Sequence, residues 1–155
     1  MPDKPPFMNL MRELVRCYQA FESYSLLDIR ATGLTPPQFD VIATLGNTAG
    51  MTFRELGEKT LITKGTLTGI VDRLTAKGLV RREDHPGDAR CFKVVLTPAG
   101  EAEFRRVFQP HVHYLEDAFR RLPRERQIAL TEGLESLRQA FELSKRATSS
   151  PKEAP

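Results

Sequence analysis

The spacing of apolar residues in this chain changes period once. Helical spacing holds up to Gly78 and resumes at Thr97, while Leu79 to Glu83 and Cys91 to Leu96 are runs of β-friendly residues joined by His85-Pro-Gly-Asp88. Such a chain folds as a set of helices interrupted by one hairpin, with the Pro-Gly pair suited to a type II turn at the tip. Helix boundaries are marked by caps. Gly33 stops a first helix, from about residue 7 to Arg30, that carries Leu10, Leu14, Tyr18 and Phe21 on one stripe. Thr35, followed by Pro36 and by Gln38 three residues on, opens a second helix that runs to about Asn47. Thr52-Phe-Arg-Glu55 is a further capping box that opens a short third helix. Thr63 caps a fourth, which places Leu67, Ile70, Val71 and Leu74 on one face and ends at Gly78. Thr97-Pro98 starts a helix expected to run to about Leu122 with a kink at Pro110, and Pro123 starts the last one, whose Ile128, Leu134, Leu137 and Phe141 have the spacing of a buried face. The fold class expected is mainly α with a small β-hairpin wing.

A length of 155 residues gives room for one ordinary domain, or for a small domain carrying an oligomerisation arm. No run approaches the roughly 18 apolar residues of a bilayer span, and Met1 to Leu10 has too little apolar length for a signal peptide, so a cytoplasmic protein with no membrane partner is expected. Cys17 and Cys91 stand far apart and outside any Cys-x-x-Cys, which indicates neither a metal knuckle nor a disulfide framework. Gly-x-Ser-x-Gly, a Walker loop, the Rossmann glycine fingerprint and His-Glu-x-x-His are all missing, so the sequence implies neither an enzyme nor a cofactor. The net charge of +3 is unevenly placed. Residues 1 to 51 hold four Lys/Arg against five Asp/Glu, residues 52 to 93 nine against six, and residues 94 to 155 ten against nine. A basic centre between near-neutral flanks fits an anion-binding module.

That centre contains a short helix, a tight turn, an amphipathic helix and a charged hairpin, the layout of a winged helix-turn-helix that reads DNA. Projected at 100° per residue, the segment 63 to 77 turns Leu67, Ile70, Val71 and Leu74 inward and Gly65, Thr68, Gly69, Asp72 and Ala76 outward. So small an outer face lets the backbone approach a groove floor, and Lys64, Thr66 and Thr68 at the positive helix end offer donors to phosphates and base edges, with Arg73 at the margin. A plain amphipathic helix would leave its two glycines unexplained. In the hairpin Arg81, Arg82, Arg90 and Lys93 face Glu83, Asp84 and Asp88. Alone, this is a charged edge that discourages strand pairing. Beside a recognition helix it reads as a wing whose Arg90 enters the adjacent minor groove.

The stretch from Leu34 to Gly100 resembles the MarR family of bacterial regulators. The resemblance is carried by Leu34-Thr-Pro-Pro-Gln-Phe39, Thr63-Lys-Gly-Thr-Leu-Thr-Gly-Ile-Val-Asp-Arg-Leu74, Lys77-Gly-Leu-Val-Arg-Arg82, Asp88-Ala-Arg90 and Leu96-Thr-Pro-Ala-Gly100. It implies a homodimer whose N- and C-terminal helices interlock, residues 7–34 and 98–146, around winged modules formed by residues 35–97, with flexible tails at 1–6 and 147–155. It further implies a pseudo-palindromic double-stranded operator read by Thr63, Lys64, Gly65, Thr66, Thr68 and Gly69, with Arg73 as the helix arginine and Asp88 and Arg90 as the wing pair. The function expected is a DNA-binding transcriptional repressor released by a small aromatic or phenolic effector.

Two alternatives remain open: a thiol-based oxidant sensor using Cys17, and a winged-helix protein-binding module that does not touch DNA. Cys17 has Tyr18 and Tyr24 nearby but lacks the local motif of the organic-peroxide branch, and is expected to be a buried, reduced thiol. His111 and His113, about 200° apart on a helix, are expected to be surface residues beside the Pro110 kink rather than joint ligands of a metal.

Overall fold

The computed structural model describes residues 5–60, 62–85 and 88–149, with the side chains of 85, 88–91 and 149 outside that description. Its elements are α1 (Pro6–Ala31), α2 (Pro36–Leu45), β1 (Met51–Thr52), α3 (Phe53–Thr60), α4 (Lys64–Ala76), β2 (Val80–His85), β3 (Asp88–Leu96), α5 (Pro98–Phe119) and α6 (Arg124–Ser149). The order and the fold class are those the sequence predicts, mainly α with a small wing. The chain divides into two units, Met1–Tyr114 and Leu115–Pro155.

In the first unit, the inward residues of α4 meet α2 and the sheet. Val41, Ile42, Leu45, Leu56, Leu67, Val71, Leu74, Val80 and Val94 are essentially sealed from water, and Phe104 and Val107 of α5 complete the cluster. Burying side chains of this size contributes roughly 1.5–3 kcal/mol each before conformational entropy is set against it, so this cluster holds α4 in place. The capping boxes form as expected: Thr35 N–H donates to Gln38 Oε1 at 3.2 Å, and Thr52 N–H donates to Glu55 Oε2 at 2.8 Å. Gly33 and Gly78, with φ of +80° and +71°, follow helices α1 and α4.

The sheet differs from the expected hairpin in having a third strand. The order is β1-β3-β2, antiparallel throughout, with Met51 opposite Val94 and Arg82 opposite Val94 on the other side. Two residues are too few to show a period, which is why β1 is invisible in the sequence. The strands also extend further, to His85 and from Asp88, so Asp88 and Arg90 belong to β3. The proposed type II turn falls on Pro86 and Gly87, outside the described residues. At the wing's base Thr97 Oγ1 donates to Gly78 O at 2.6 Å and accepts from Gly100 N–H at 3.0 Å. A Cβ at Gly100 would stand 1.9 Å from Leu79 O, so glycine alone permits the start of α5 to rest on the wing stem.

Helix α5 passes through Pro110 without ending and stops at Phe119, three residues before the expected Leu122. Where it crosses α1, Tyr24 and Tyr114 stack with centroids 4.4 Å apart, each hydroxyl donating to the other residue's carbonyl at 3.0 and 3.2 Å. His111 corrects the expected surface histidine. It is buried, its Nδ1 lies 2.7 Å from Asp28 Oδ2 and its Nε2 lies 3.2 Å from Ser25 Oγ, because the α1–α5 seam closes over it while these partners satisfy both ring nitrogens. His113, as expected, is exposed.

Cys17 is likewise corrected: it is exposed rather than buried. Only Ser25 and Ile29 of α1 are buried, so the earlier turns that carry Leu10, Cys17 and Tyr18 have no core to enter. In the second unit, Gln127 Nε2 donates to Phe119 O and Leu122 O, both at 3.0 Å, and fixes the corner between α5 and α6. The α6 stripe is open in the single chain: Leu134 is 56% and Phe141 59% exposed, with Leu137 half-buried. No described helix is long and apolar enough to cross a membrane.

Candidate nucleic-acid interface

Helix α4 is positioned by its apolar row, which leaves the opposite row outward. Lys64, Gly65, Thr66, Thr68, Asp72, Arg73 and Ala76 are exposed and Gly69 is half-exposed, as the projection predicts. Thr63 stands at the N-cap in extended conformation, yet its side chain does not cap the helix backbone. Its hydroxyl donates to Thr66 Oγ1 at 3.0 Å. Thr68 donates to Lys64 O at 3.0 Å, the bond that a threonine makes one turn back in a helix. The two outward threonines are thereby made chemically different. Thr66 accepts from Thr63 and keeps its proton to donate outward, whereas Thr68 has its proton engaged and presents lone pairs and a methyl group.

The glycines have distinct surroundings. A Cβ on Gly65 would meet no atom within 4 Å, whereas one on Gly69 would stand 3.3 Å from Arg73 Nη2. Nothing inside the chain requires glycine at 65. At 69, the missing side chain leaves room for the guanidinium one turn on. Among the described residues Lys64 and Arg73 have no acidic partner, while Arg81 is paired with Glu83 at 2.5 Å and Arg82 with Asp72 at 2.6 Å. The pairing of Asp72 with Arg82 crosses from α4 to β2. The sequence shows both residues and gives no sign of their pairing, since ten positions and a change of secondary structure separate them. Asp88 and Arg90 lie in β3, with Asp88 opposite His85, and their side chains are outside the described residues.

Two concavities accompany this surface. A groove of about 940 Å³ runs beside α4, floored by Phe53, Ile62 and Phe92 and edged by Lys64, Thr68 and Arg82. A smaller pocket of about 130 Å³ lies between α1 and α2, lined by Tyr18, Phe21, Glu22, Ser25, Ile29 and Asp40 among others. Among the described residues no Lys or Arg lines it. Burial pushes the Asp40 carboxyl above its ordinary value, and the charge of nearby His111 opposes this. Sequence reasoning did not locate this pocket, because its two walls are separated along the chain and are brought together only by the packing of α1 on α2. Among the described residues no group of three or more His, Cys, Asp or Glu is placed to hold a metal ion.

The model of the MarR family matches residues 32–90, from the end of α1 to the wing. The homoprotocatechuate degradative operon repressor of Escherichia coli is 28% identical over 74% of this chain and 74% of its own. Among solved structures, the MarR family transcriptional regulator Sco3205 from Streptomyces coelicolor, in complex with DNA, superposes with a TM-score of 0.76 at 26% identity, covering 95% of this chain and 90% of that one. BpsR of Bordetella bronchiseptica, a protein whose DNA binding is regulated by 6-hydroxynicotinic acid, superposes with a TM-score of 0.72 at 25% identity over 83% of this chain and 98% of its own. The winged fold, the family match and these relatives agree: residues 32–90 are a helix-turn-helix and wing of the MarR family, whose members are transcriptional regulators and not enzymes.

Proposed function

We propose that this protein is a dimeric transcriptional repressor that reads a pseudo-palindromic operator and is released from it by a small aromatic or phenolic ligand. The observation that carries the proposal is the outer face of α4: small, exposed, with two hydroxyls of opposite hydrogen-bonding character and two cations that no described acid neutralises. Lys64 and Arg73 suit phosphates. Thr66 is a donor for base-edge acceptors, and Thr68 is an acceptor for an exocyclic amine or a methyl contact for thymine. Gly65 and Gly69 keep the backbone low over the groove floor, Thr63 fixes Thr66, and Asp88 with Arg90 forms the wing contact. Residues 35–97 form the reading module, and residues 7–34 and 98–146 the dimerisation region. The protein works in the cytoplasm.

The α1–α2 pocket supports the ligand. Its aromatic walls at Tyr18 and Phe21, with carboxylates at Glu22 and Asp40, suit a phenol that donates hydrogen bonds better than an aromatic acid. Release through Cys17 is the competing mechanism, favoured by the exposure of that thiol. The test is fluorescence anisotropy with a duplex from the region upstream of the chain's own gene, titrated with phenols and separately with peroxide. The proposal expects nanomolar binding that a phenol weakens by roughly 5- to 150-fold. Peroxide release lost in Cys17→Ser would replace the phenol with the thiol, and a chain that binds no duplex would leave the protein-binding module as its function.

A further inference from the structure

We propose that Asp72 and Arg82 are a positioning pair that fixes the angle of the wing against α4, and that discrimination between operator and other DNA depends on it. The inference rests on the DNA-reading function proposed above. Asp72 stands in the outward row of α4, on a face that would otherwise present a bare carboxylate to phosphates. Instead its Oδ1 receives a hydrogen bond from Arg82 Nη2 at 2.6 Å. The same guanidinium lies over the ring of Phe53, 5.4 Å from its centroid, so one planar group touches the start of α3, the middle of α4 and the stem of the wing. Lysine cannot make both contacts, since only a guanidinium offers a flat face for the ring and edge donors for the acid.

The strand places Arg82 for this. Val80 and Arg82 share one face of β2, and Val80 is buried in the core, so Arg82 continues the core-facing row outward to Asp72. Arg81, on the opposite face, pairs with Glu83 two residues away on its own strand and so ties no two elements together. The Asp72–Arg82 pair is about half exposed, a setting in which ion pairs add little stability, so its consequence is geometric. Three residues at roughly 3.3 Å each separate Arg82 from His85 at the far end of β2, a lever of about 10 Å. A tilt of about 10° at the stem would move that end by about 2 Å, enough to take a hydrogen-bond donor out of range.

Electrostatics and positioning give opposite signs, which makes the test sharp. Asp72→Asn removes a negative charge from a DNA-facing surface, so charge alone predicts tighter binding to any duplex. Positioning predicts a loss of operator affinity on the order of tenfold with scrambled-duplex affinity unchanged or raised, and a similar loss for Arg82→Lys. The double variant should lose no more than either single one. Glu83→Gln makes the same charge change in the local pair and should bind operator at least as tightly as wild type. Anisotropy with promoter-region and scrambled duplexes at several salt concentrations measures all of these. Operator binding by Asp72→Asn as tight as wild type, or additive losses in the double variant, overturns the proposal. A second arm needs no DNA: in the free protein, amide exchange at residues 81–84 should quicken in Asp72→Asn, and unchanged exchange overturns the pairing. If wild type binds no duplex, the regulator function fails and the exchange arm alone decides the pair.

Discussion

At position 65 the residue with no side chain is also the residue with nothing beside it. A Cβ there would have open space, so Gly65→Ala should fold as well as wild type or better, gaining up to about 1 kcal/mol of helix propensity. If the helix backbone must approach a groove floor, the same methyl group should weaken operator binding by roughly tenfold. Thermal melts and anisotropy on one preparation check both halves, and an alanine variant that binds as tightly as wild type would show that the small face is not a DNA surface. Asp40 allows a prediction of sign. Burial raises its carboxyl value in the folded chain, with His111 partly opposing. A raised acid favours folding below its unfolded value, and that contribution is lost as pH rises through the folded value. Asp40→Asn should therefore be at least as stable as wild type at pH 7, and the difference should vanish or reverse as pH falls to about 4. Urea unfolding at the two pH values measures it, and a variant clearly less stable at pH 7 would mean that the carboxylate makes a favourable contact.

Elements were legible where local chemistry decides them and illegible where contacts across the chain do. Capping boxes at Thr35 and Thr52 are bonds between residues three apart, and both form as the sequence states. The face of α4 follows from a 100° rotation and is likewise observed. His111 and Cys17 went the other way, because burial depends on which neighbour arrives, and spacing carries no record of that. Strand β1 escaped notice because its alternation is two residues long, and the pairing of Asp72 with Arg82 because nothing local links α4 to β2. The wing is the element whose proposed contact can be tested against simple charge. Arg90→Ala should weaken binding to many sequences, most with A·T-rich flanks, and flatten the slope of log affinity against log salt by roughly one unit if one phosphate's worth of counterions is no longer released. Asp88→Ala should reproduce part of this loss although it makes the wing more positive, since the carboxylate two residues away would orient the guanidinium. Tighter binding by Asp88→Ala, or an unchanged salt profile for Arg90→Ala, defeats the wing contact.

For the molecule as a whole, the outstanding quantity is apolar surface that one chain leaves bare. In the first unit Phe7, Leu10, Met11, Val15 and Tyr18 of α1 are each half or more exposed; in the second, Ile128, Leu134 and Phe141 of α6 are as well. Soluble monomers rarely carry contiguous patches of that kind, and among its described residues α6 has no buried one to justify a long apolar stripe. A second copy of the chain carries the same bare stripes, and a two-fold axis relating two α4 helices roughly 34 Å apart would place them on successive turns of one face of DNA. Sedimentation velocity should therefore show a dimer at micromolar concentration. Replacing Leu134 and Phe141 together by Glu should yield a monomer whose winged core still melts cooperatively, since neither residue belongs to that core. The monomer would engage one half-site without the effective concentration that the second supplies, so its operator affinity should fall by roughly 10²- to 10⁴-fold while scrambled-duplex binding falls far less. Wild type sedimenting as a monomer, or a doubly substituted chain that remains a dimer, would place the interface elsewhere or remove it.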